Sequence, residues 1–316
     1  MMTKLIDIAK ACKVDTSTVS RALQNDPRVK SKTKDFILKK ASELNYVPNF
    51  AARNLARGRT DAIALMLPSI NDKLNVEIAQ NSSYHLMKDS KDLIIHMHHE
   101  DKVSFQRILK RITPSYCDGL MILPSVNEFE HEILIKNLPK NFPIIFVDRW
   151  VKDLALPVVT TDNFFASSML VKKLNDLGCT TIINGFSKSN EVNRERNNGV
   201  IDACKNLGIA TFSEEQFATK NINNQMIGII STGQNTILKI AKTILDISND
   251  IQVNFACFDE WRGEPHPAQN VLVCVQDFEA IIQNALLELK LMKENNYSSR
   301  IVRVKPKDFL KIIKNF

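Results

Sequence analysis

From Asp61 onward the chain alternates short apolar runs with stretches of helical periodicity, and no other feature restricts its fold so tightly. Ala62 to Pro68, Leu93 to Met97, Gly119 to Pro124 and Ile144 to Asp148 read as buried strands beside helical stretches. A second set follows, with strands at Thr181 to Phe186, Ile227 to Thr232 and Asn254 to Asp259. Helices near Phe164 to Leu177, Glu191 to Leu207 and Asn235 to Ile247 lie between them. This alternation predicts parallel sheets covered on both faces, and two sets of units imply two α/β lobes. Open parallel sheets bind ligands beyond the carboxyl ends of their strands, so the facing ends become the expected site. Ser69 and Asn71, Asp148 and Arg149, and Asp259, Glu260 and Trp261 fall there. Carboxylates and amides accept hydroxyl hydrogens and an aromatic plane covers a ring, which is what a sugar needs. Each residue alone is equally a loop or cap residue; as a set at one edge they are candidates for a cleft.

The first sixty residues follow a different pattern. Ile6 to Leu23 reads as two short helices joined by a tight turn, with Leu5, Ile8 and Ala9 on one buried face, Val14 plugged inward, and Val19, Ala22 and Leu23 on the other. Asp15 stands where an N-cap belongs, its carboxylate expected to accept from the free N–H groups of the second helix. That helix leaves Thr16, Ser17, Ser20 and Arg21 on its outer face. Hydroxyls and an arginine on a short helix suit the DNA major groove, where Arg forks onto guanine and Ser or Thr meets a base edge or a phosphate.

Charge supports this reading. Residues 1 to 60 hold 13 Lys and Arg against 5 Asp and Glu, whereas the other 256 hold 29 against 30. A small cationic module on a near-neutral body points to a polyanion-binding headpiece. The six cysteines are scattered singly without a C-x-x-C pair, as expected of reduced core residues. No apolar run approaches the ~18 residues that span a bilayer and no secretory h-region is recognisable, so a cytoplasmic location without membrane contact is expected.

After a polar turn broken by Pro27, a third helix is expected from about Ser31 to Leu44, with Phe36, Ile37, Ala41 and Leu44 closing a miniature core. Pro48 stops it, Asn49 can cap a new helix, and Phe50 to Ala56 forms a short Ala-rich helix ended by Gly58, too small to be stable without a partner. Leu55 lies among Arg53, Arg57 and Arg59. An apolar wedge among arginines has the chemistry of a minor-groove kink, although the residues alone favour Leu55 simply packing on the following domain.

Four separated motifs carry a resemblance: T-x-L-x-DIA at Thr3 to Ala9, STVSRAL at Ser17 to Leu23, ELNYVPNFAARNLARGRT at Glu43 to Thr60, and the apolar run that follows. In order and spacing they resemble the headpiece and hinge of the lac repressor family of bacterial transcription regulators. The resemblance implies that Thr16, Ser17 and Arg21 occupy base-reading positions, that Tyr46 and Asn49 lie against the DNA backbone, and that Leu55 pairs with its dimer mate to open the operator centre. Two departures stand out: Lys13 replaces the usual turn Gly, and Lys30 replaces the Ser before the third helix. A non-Gly residue at positive φ costs about 1 kcal/mol.

The body is similar to periplasmic-binding-protein-like effector domains through VVTTDNFFAS at Val158 to Ser167, LNDLGCTTI at Leu174 to Ile182 and R-x-x-G at Arg196 to Gly199. By that match Asp148, Arg196 and Asp259 fall on effector-contacting positions, with Trp261 a candidate stacking residue. The agreement is looser than in the headpiece. Thr232 and Gly233 replace an Asn-Asp pair, Cys179 a His, and PHPAQNVLVCVQ at Pro265 to Gln276 the usual stretch.

Other chemistry finds little footing. His96, His98, His99 and Glu100 form a dense cluster, but on a strand at most two imidazoles share a face, and no metal site is expected. Phosphate-cradling G-x-x-x-x-G-K-[ST] and G-x-G-x-x-G motifs and the G-x-S-x-G nucleophile turn are missing, and the last residues, KPKDFLKIIKNF, are too short for a coiled-coil tail.

The sequence therefore predicts an α/β protein: an all-α helix-turn-helix headpiece (1–47), a hinge helix and linker (48–60), and two doubly wound parallel lobes (61–316) with a lobe boundary near 158–163 and later crossings near 260–276 and 293–300. The expected function is that of a homodimeric regulator, not an enzyme, that binds near-palindromic operator DNA and a carbohydrate effector without a cofactor. A purine or phosphorylated metabolite as effector, or a sugar-modifying enzyme on the same fold, are the alternatives.

Overall fold

A computed structural model describes residues 3–47, 59–125, 128–138, 142–187, 189–217, 226–247, 251–258, 260–262, 266–295 and 298–313. The chain divides into two compact units, Met1–Gly58 and Arg59–Phe316.

The first unit contains α1 (Leu5–Cys12), α2 (Thr16–Leu23) and α3 (Ser31–Glu43). Its core is small: Ile8, Ala9, Cys12, Val19, Ala22, Ile37 and Ala41, flanked by Leu5, Val14, Leu23, Val29 and Tyr46. Spacings of three and four residues put these side chains on facing helical stripes. Phe36 and Leu44, expected in this core, are instead 47% and 36% exposed. Phe36 is one residue, about 100° of helical turn, from Ile37, and Ile37 takes the inward position. Asp15 does precede α2 in an extended conformation, but its carboxylate makes no capping bond. The turn between α1 and α2 is made by Lys13 in the left-handed region, at φ 54° and ψ 44°, where its N–H bonds back to α1 carbonyls. Val14 N–H then reaches Ala9 O at 3.1 Å. This is the place of a helix-ending glycine, filled by a residue with a Cβ.

The second unit holds two six-stranded sheets. Strands β1 (Ala62–Leu67), β2 (Asp92–Met97), β3 (Leu120–Ile122), β4 (Ile144–Val147), β5 (Val158–Thr161) and β11 (Ile301–Val304) form the first in the order β2-β1-β3-β4-β5-β11, every neighbour parallel. Strands β6 (Thr181–Asn184), β7 (Ala210–Phe212), β8 (Met226–Ser231), β9 (Gln252–Cys257), β10 (Asn270–Val275) and β12 (Asp308–Ile313) form the second in the order β7-β6-β8-β9-β10-β12. Only β12 runs antiparallel to its neighbour. All of β1 is buried, as a central strand covered on both faces must be. Helices α4 (Lys73–Lys88), α5 (Lys102–Arg111), α6 (Glu128–Asn137) and α11 (Phe278–Lys293) belong to the first lobe, and α7 (Asn163–Asp176), α8 (Glu191–Leu207), α9 (Glu214–Phe217) and α10 (Gln234–Ile247) to the second.

A recurring local device starts these helices at the carboxyl edges of the sheets. Asp72, Asp101, Asp162, Asn190 and Asp277 each accept the N–H of the residue three places on, at 2.7 to 3.1 Å. Each cap satisfies one of the orphan N–H groups of a helix start and fixes where the strand ends, so the loops at this edge are short and set. Helices α7 and α8 approach so closely that a Cβ on Gly199 would sit 2.3 Å from Phe164 O and Ser167 Oγ. The glycine of the R-x-x-G motif is thereby explained by packing.

The chain passes to the second sheet between Thr161 and Asn163 and returns between Val275 and Phe278, where α11 packs Ile281, Ile282, Ala285 and Leu289 into the first lobe's core. The last crossing lies between Val304 and Asp308, beyond the 293–300 window read from the sequence. Strand β11 first adds itself to β5, whose edge would otherwise carry unpaired backbone groups. The C-terminal stretch expected only to lack a coiled coil is β12, with Phe309 partly buried and Leu310, Lys311 and Ile312 exposed. All six cysteines are buried and none is joined in a disulfide.

Because Lys13 holds a left-handed conformation that costs a side-chain-bearing residue about 1 kcal/mol, Lys13→Gly should stabilise the headpiece by about that amount. Hydrogen exchange of the α1–α3 amides measures it; unchanged or weaker protection would mean that this turn carries no strain.

Candidate functional sites: an exposed helix face and an interlobe cleft

In the first unit, α2 rests on Val19 and Ala22, both buried, and turns Thr16, Ser17 and Arg21 to solvent. Ser20, half-buried on the same face, accepts from Gln24 Nε2 at 3.2 Å. The four lie at i, i+1, i+4 and i+5, which is one side of a helix. Just beyond α2, Arg28 grips Asp26 through Nε at 3.0 Å and Nη2 at 2.6 Å, and the guanidinium's hydrogen bonds pull the Asp26 carboxyl down to about 2. Tyr46 is half-buried with its side chain against the headpiece core, and its N–H closes the end of α3 on Ala41 O at 2.9 Å. Asn49, Arg53, Leu55 and Arg57, singled out from the sequence, lie outside the described residues.

In the second unit the carboxyl ends of both sheets meet at a buried polar cluster. Asp148 follows β4 in the left-handed region at φ 62°, its N–H bonded to Val159 O of β5 at 2.8 Å. Its carboxyl is buried; Oδ1 has no hydrogen-bond partner, and Oδ2 lies 3.6 Å from Arg149 Nε. Burial pushes its pKa up, against the pull of Arg149 and Arg196. Arg196, on α8 and 4% exposed, donates from Nε to Asn163 Oδ1 at 2.8 Å and approaches Thr232 Oγ1 from Nη1 at 3.5 Å. Its guanidinium carbon lies 3.7 Å from the centre of the Phe258 ring, the geometry of a desolvated cation–π contact. Asn163 is held in turn by Thr160 Oγ1 and Thr161 O, and Thr161 donates to Gln276 Oε1 at 2.6 Å. One connected network thus joins the ends of β5, β8 and β10 to the starts of α7 and α8.

Two cavities flank this network. One, of about 450 Å³, is lined by Lys73, Leu74 and Glu77 from the first lobe and by Phe258, Trp261 and Gln276 from the second-lobe strand ends. The other, of about 410 Å³, lies between Asp72 to Leu74 and Arg149 on one side and Gly233 to Thr236, Glu260 and Arg262 on the other. Ser69 and Asn71 line neither; Asn71 N–H only approaches Ser69 Oγ at 3.4 Å, and the next three residues take the place expected of them. Trp261 lines the larger cavity, yet its ring packs on Phe255 and His266 at 5.5 and 5.1 Å between centroids and its Nε1 is buried without a partner. It is a wall more than a free stacking plane. Asp259 lies outside the described residues.

Sequence reasoning missed Thr232 and Gln276. Thr232 looked like a lost Asn, and Gln276 ended a stretch that departs from the familiar pattern; only their positions after β8 and β10 could have marked them. The imidazole cluster separates. His96 bonds to Tyr116 Oη at 3.0 Å, whereas His98 is fully buried against Phe105, 4.0 Å from Glu130 Oε1, and burial pulls its pKa to about 4. Among the described residues no three His, Cys, Asp or Glu side chains gather as a metal site would require.

Comparison with known proteins bears on both units. Residues 4–49 match the family model described as "Bacterial regulatory proteins, lacI family". The NTD biosynthesis operon regulator NtdR of Bacillus subtilis is 29% identical over 216 residues, 67% of this chain and 64% of that protein. The ribose operon repressor of Haemophilus influenzae is 26% identical over 177 residues, 56% of this chain and 52% of the relative. The HTH-type transcriptional repressor CytR of Escherichia coli K12 is 29% identical over 177 residues, 54% and 50%. The matched part therefore spans about half to two thirds of the length of these relatives, which are transcriptional regulators and not enzymes. Among solved structures, the lac repressor dimer bound to operator and the anti-inducer ONPF superposes with a TM-score of 0.76 at 17% identity, covering 99% of this chain and 98% of that one. A CelR–cellobiose complex superposes at 0.58 and 15% identity, covering 98% of each. The fold is that of these two-lobed, periplasmic-binding-protein-like repressors.

The orphaned Asp148 oxygen yields a prediction. With its folded pKa above the unfolded value, Asp148 disfavours the folded state once ionised, so stability rises as pH falls from above the folded pKa toward the unfolded one. Asp148→Asn should raise the melting temperature of the ligand-free protein at neutral pH and flatten that pH dependence. A lower melting temperature at neutral pH would show that the carboxylate is fully compensated.

Proposed function

We propose that the chain, whose residues 4–49 match the lacI family model, is a member of that family: a cytoplasmic, sequence-specific DNA-binding transcriptional regulator whose body senses a small-molecule effector. The observation that carries this is the face of α2: Thr16, Ser17, Ser20 and Arg21 stand opposite its buried side, within the segment that matches the family. In the major groove Arg21 would fork onto a guanine while the hydroxyls meet base edges or phosphates. Tyr46 and Asn49 would lie along the DNA backbone. Residues 48–60 would form the hinge, with Leu55 as an apolar wedge and Arg53 and Arg57 neutralising phosphates beside it.

Two copies related by a two-fold axis would read a near-palindromic operator as a homodimer. A sugar-type effector would occupy the interlobe cleft, with Asp148 accepting hydroxyl hydrogens, Arg149 and Arg196 donating, Asp259 and Trp261 closing the second-lobe side, and Asp72 to Leu74 supplying the contacts first expected of Ser69 and Asn71. The network through Asn163, Thr161 and Gln276 crosses between lobes, so a ligand that favours one lobe geometry would shift the dimer between states with different operator affinity. No helix among the described residues is long and apolar enough to cross a membrane.

Selection of preferred duplexes from a random pool, with and without candidate sugars, tests the reading: it should return a near-palindromic site whose enrichment a sugar alters. Lack of preference for any duplex over random competitor at moderate salt would end it. Leu55→Ala should lower specific operator affinity by about tenfold or more while leaving nonspecific binding nearly unchanged. Equal losses in both, measured by titration of labelled duplexes, would mean that Leu55 does not act as a wedge.

A further inference from the structure

Just before the first lobe begins, the chain passes from an exposed Arg59 to Thr60, which is only 8% exposed. A single carboxylate receives it. Asp118 Oδ1 accepts the Thr60 N–H at 2.7 Å and the Thr60 hydroxyl at 2.9 Å. Oδ2 of the same side chain takes Lys293 Nζ at 3.0 Å. Burial pushes the Asp118 pKa up, but the donors from Thr60 and Lys293 outweigh it and hold the carboxyl below its usual value. Both oxygens are thus engaged, in contrast with Asp148, whose Oδ1 has no partner.

This clamp joins three segments of the lobe. Asp118 stands just before β3, and its own N–H bonds to Ala62 O at 2.7 Å, so a fixed backbone carries the carboxylate. Lys293 is the last residue of α11, a helix anchored in the core by Ile281, Ile282, Ala285 and Leu289. Asp61 follows Thr60 in the left-handed region at φ 53°, and its carbonyl accepts the Asp92 N–H of β2 at 2.8 Å. Strand β1 starts only at Ala62, so no ladder bond requires Thr60 to be held. A charged acceptor holds it all the same, through the strong class of hydrogen bond.

We infer that Asp118, braced by Lys293, is a positioning residue: it sets the point at which the hinge leaves the body and thereby the half-site spacing that a dimer accepts. This rests on the reading of residues 1–60 as a DNA-binding headpiece and hinge in a homodimer. Two headpieces on two half-sites bind as a bivalent unit, and such a unit is selective for spacing only while its linkers are stiff. Releasing Thr60 moves the first fixed point of each protomer on to Asp61. One freed residue spans up to ~3.5 Å, about the rise of one base pair. A dimer without the clamp therefore tolerates half-sites displaced by a base pair, which the intact protein rejects.

The duplex returned by selection supplies the probe, remade with one base pair inserted at its centre and with one removed. In titrations of the full-length protein, the parent should prefer the selected duplex to either remade one by about tenfold or more. Asp118→Ala should shrink that ratio to about threefold or less. Thr60→Val, which removes only the hydroxyl, and Lys293→Ala, which removes the brace, should each shrink it in part, and Thr60→Ser should match the parent. The Lys293 side chain is 43% exposed, so its variant should keep the parent's melting temperature and decides the matter if Asp118→Ala fails to fold. An unchanged ratio in Lys293→Ala and Thr60→Val, or in a folded Asp118→Ala, would reduce the clamp to a local contact and overturn the inference. Equal falls in Thr60→Ser and Thr60→Val, or a parent indifferent to spacing, would overturn it too, and in each of these cases the DNA-binding reading stands. Lack of preference for any duplex would end that reading and this inference with it.

Discussion

A guanidinium taken out of water must find partners on every side, and the position of Arg196 follows from that requirement. Its Nε is met by Asn163, its face by the Phe258 ring and one terminal nitrogen by Thr232. These partners come from the start of α7 and the ends of β8 and β9, and the network runs on through Thr161 to Gln276 at the next crossing of the chain. Removing one of these partners would leave a buried charged donor short of a hydrogen bond, at a cost of about 1–3 kcal/mol. The lobes are therefore not independent at this point. Asp148 is the complementary case: a buried carboxylate whose second oxygen lacks a donor, so the cleft holds one cation that is satisfied and one acceptor that is not.

The headpiece answers to a different balance. Seven buried residues among those described, four of them alanine or cysteine at the small end of the scale, make a core that stabilises three short helices with little margin. Within that margin, a left-handed Lys13 and an N-cap whose carboxylate makes no bond are measurable costs. On the proposed reading, a module with so small a core would gain stability on binding a polyanion, because binding and folding reinforce each other.

Much of this architecture is legible in the sequence, and the parts that are not share a cause. The central strands β1, β4, β8 and β9 are long apolar runs with turn residues at their ends, and α8 is found to the residue at Glu191 and Leu207 because Asn190 caps it and Gly208 ends it. Strands β5 and β11 escape notice because VVTT and IVRV are short and half polar, and β12 because its exposed residues on an edge resemble a solvated tail. Pairing partners far along the chain decide these strands, and no local pattern encodes them. The site shows the same division. Asp148 and Arg196 announce themselves through a strand end and a motif, whereas Thr232, Gln276 and Lys73 become visible only when two lobes bring them together. Ser69 and Asn71 were expected on the strength of a strand end alone; the cleft wall instead begins at the Asp72 cap and runs to Leu74.

The central claim is that the cleft and the operator-reading helix are energetically coupled. Thermodynamic linkage makes that claim testable in both directions, since an effector that changes operator affinity by some factor must have its own affinity changed by the same factor when operator is bound. The direct measurement is effector affinity for the full-length protein with and without a saturating specific duplex, alongside operator affinity with and without effector. The account predicts two equal factors, each of about fivefold or more. An effector that binds the cleft with the same affinity whether or not operator is present would contradict it.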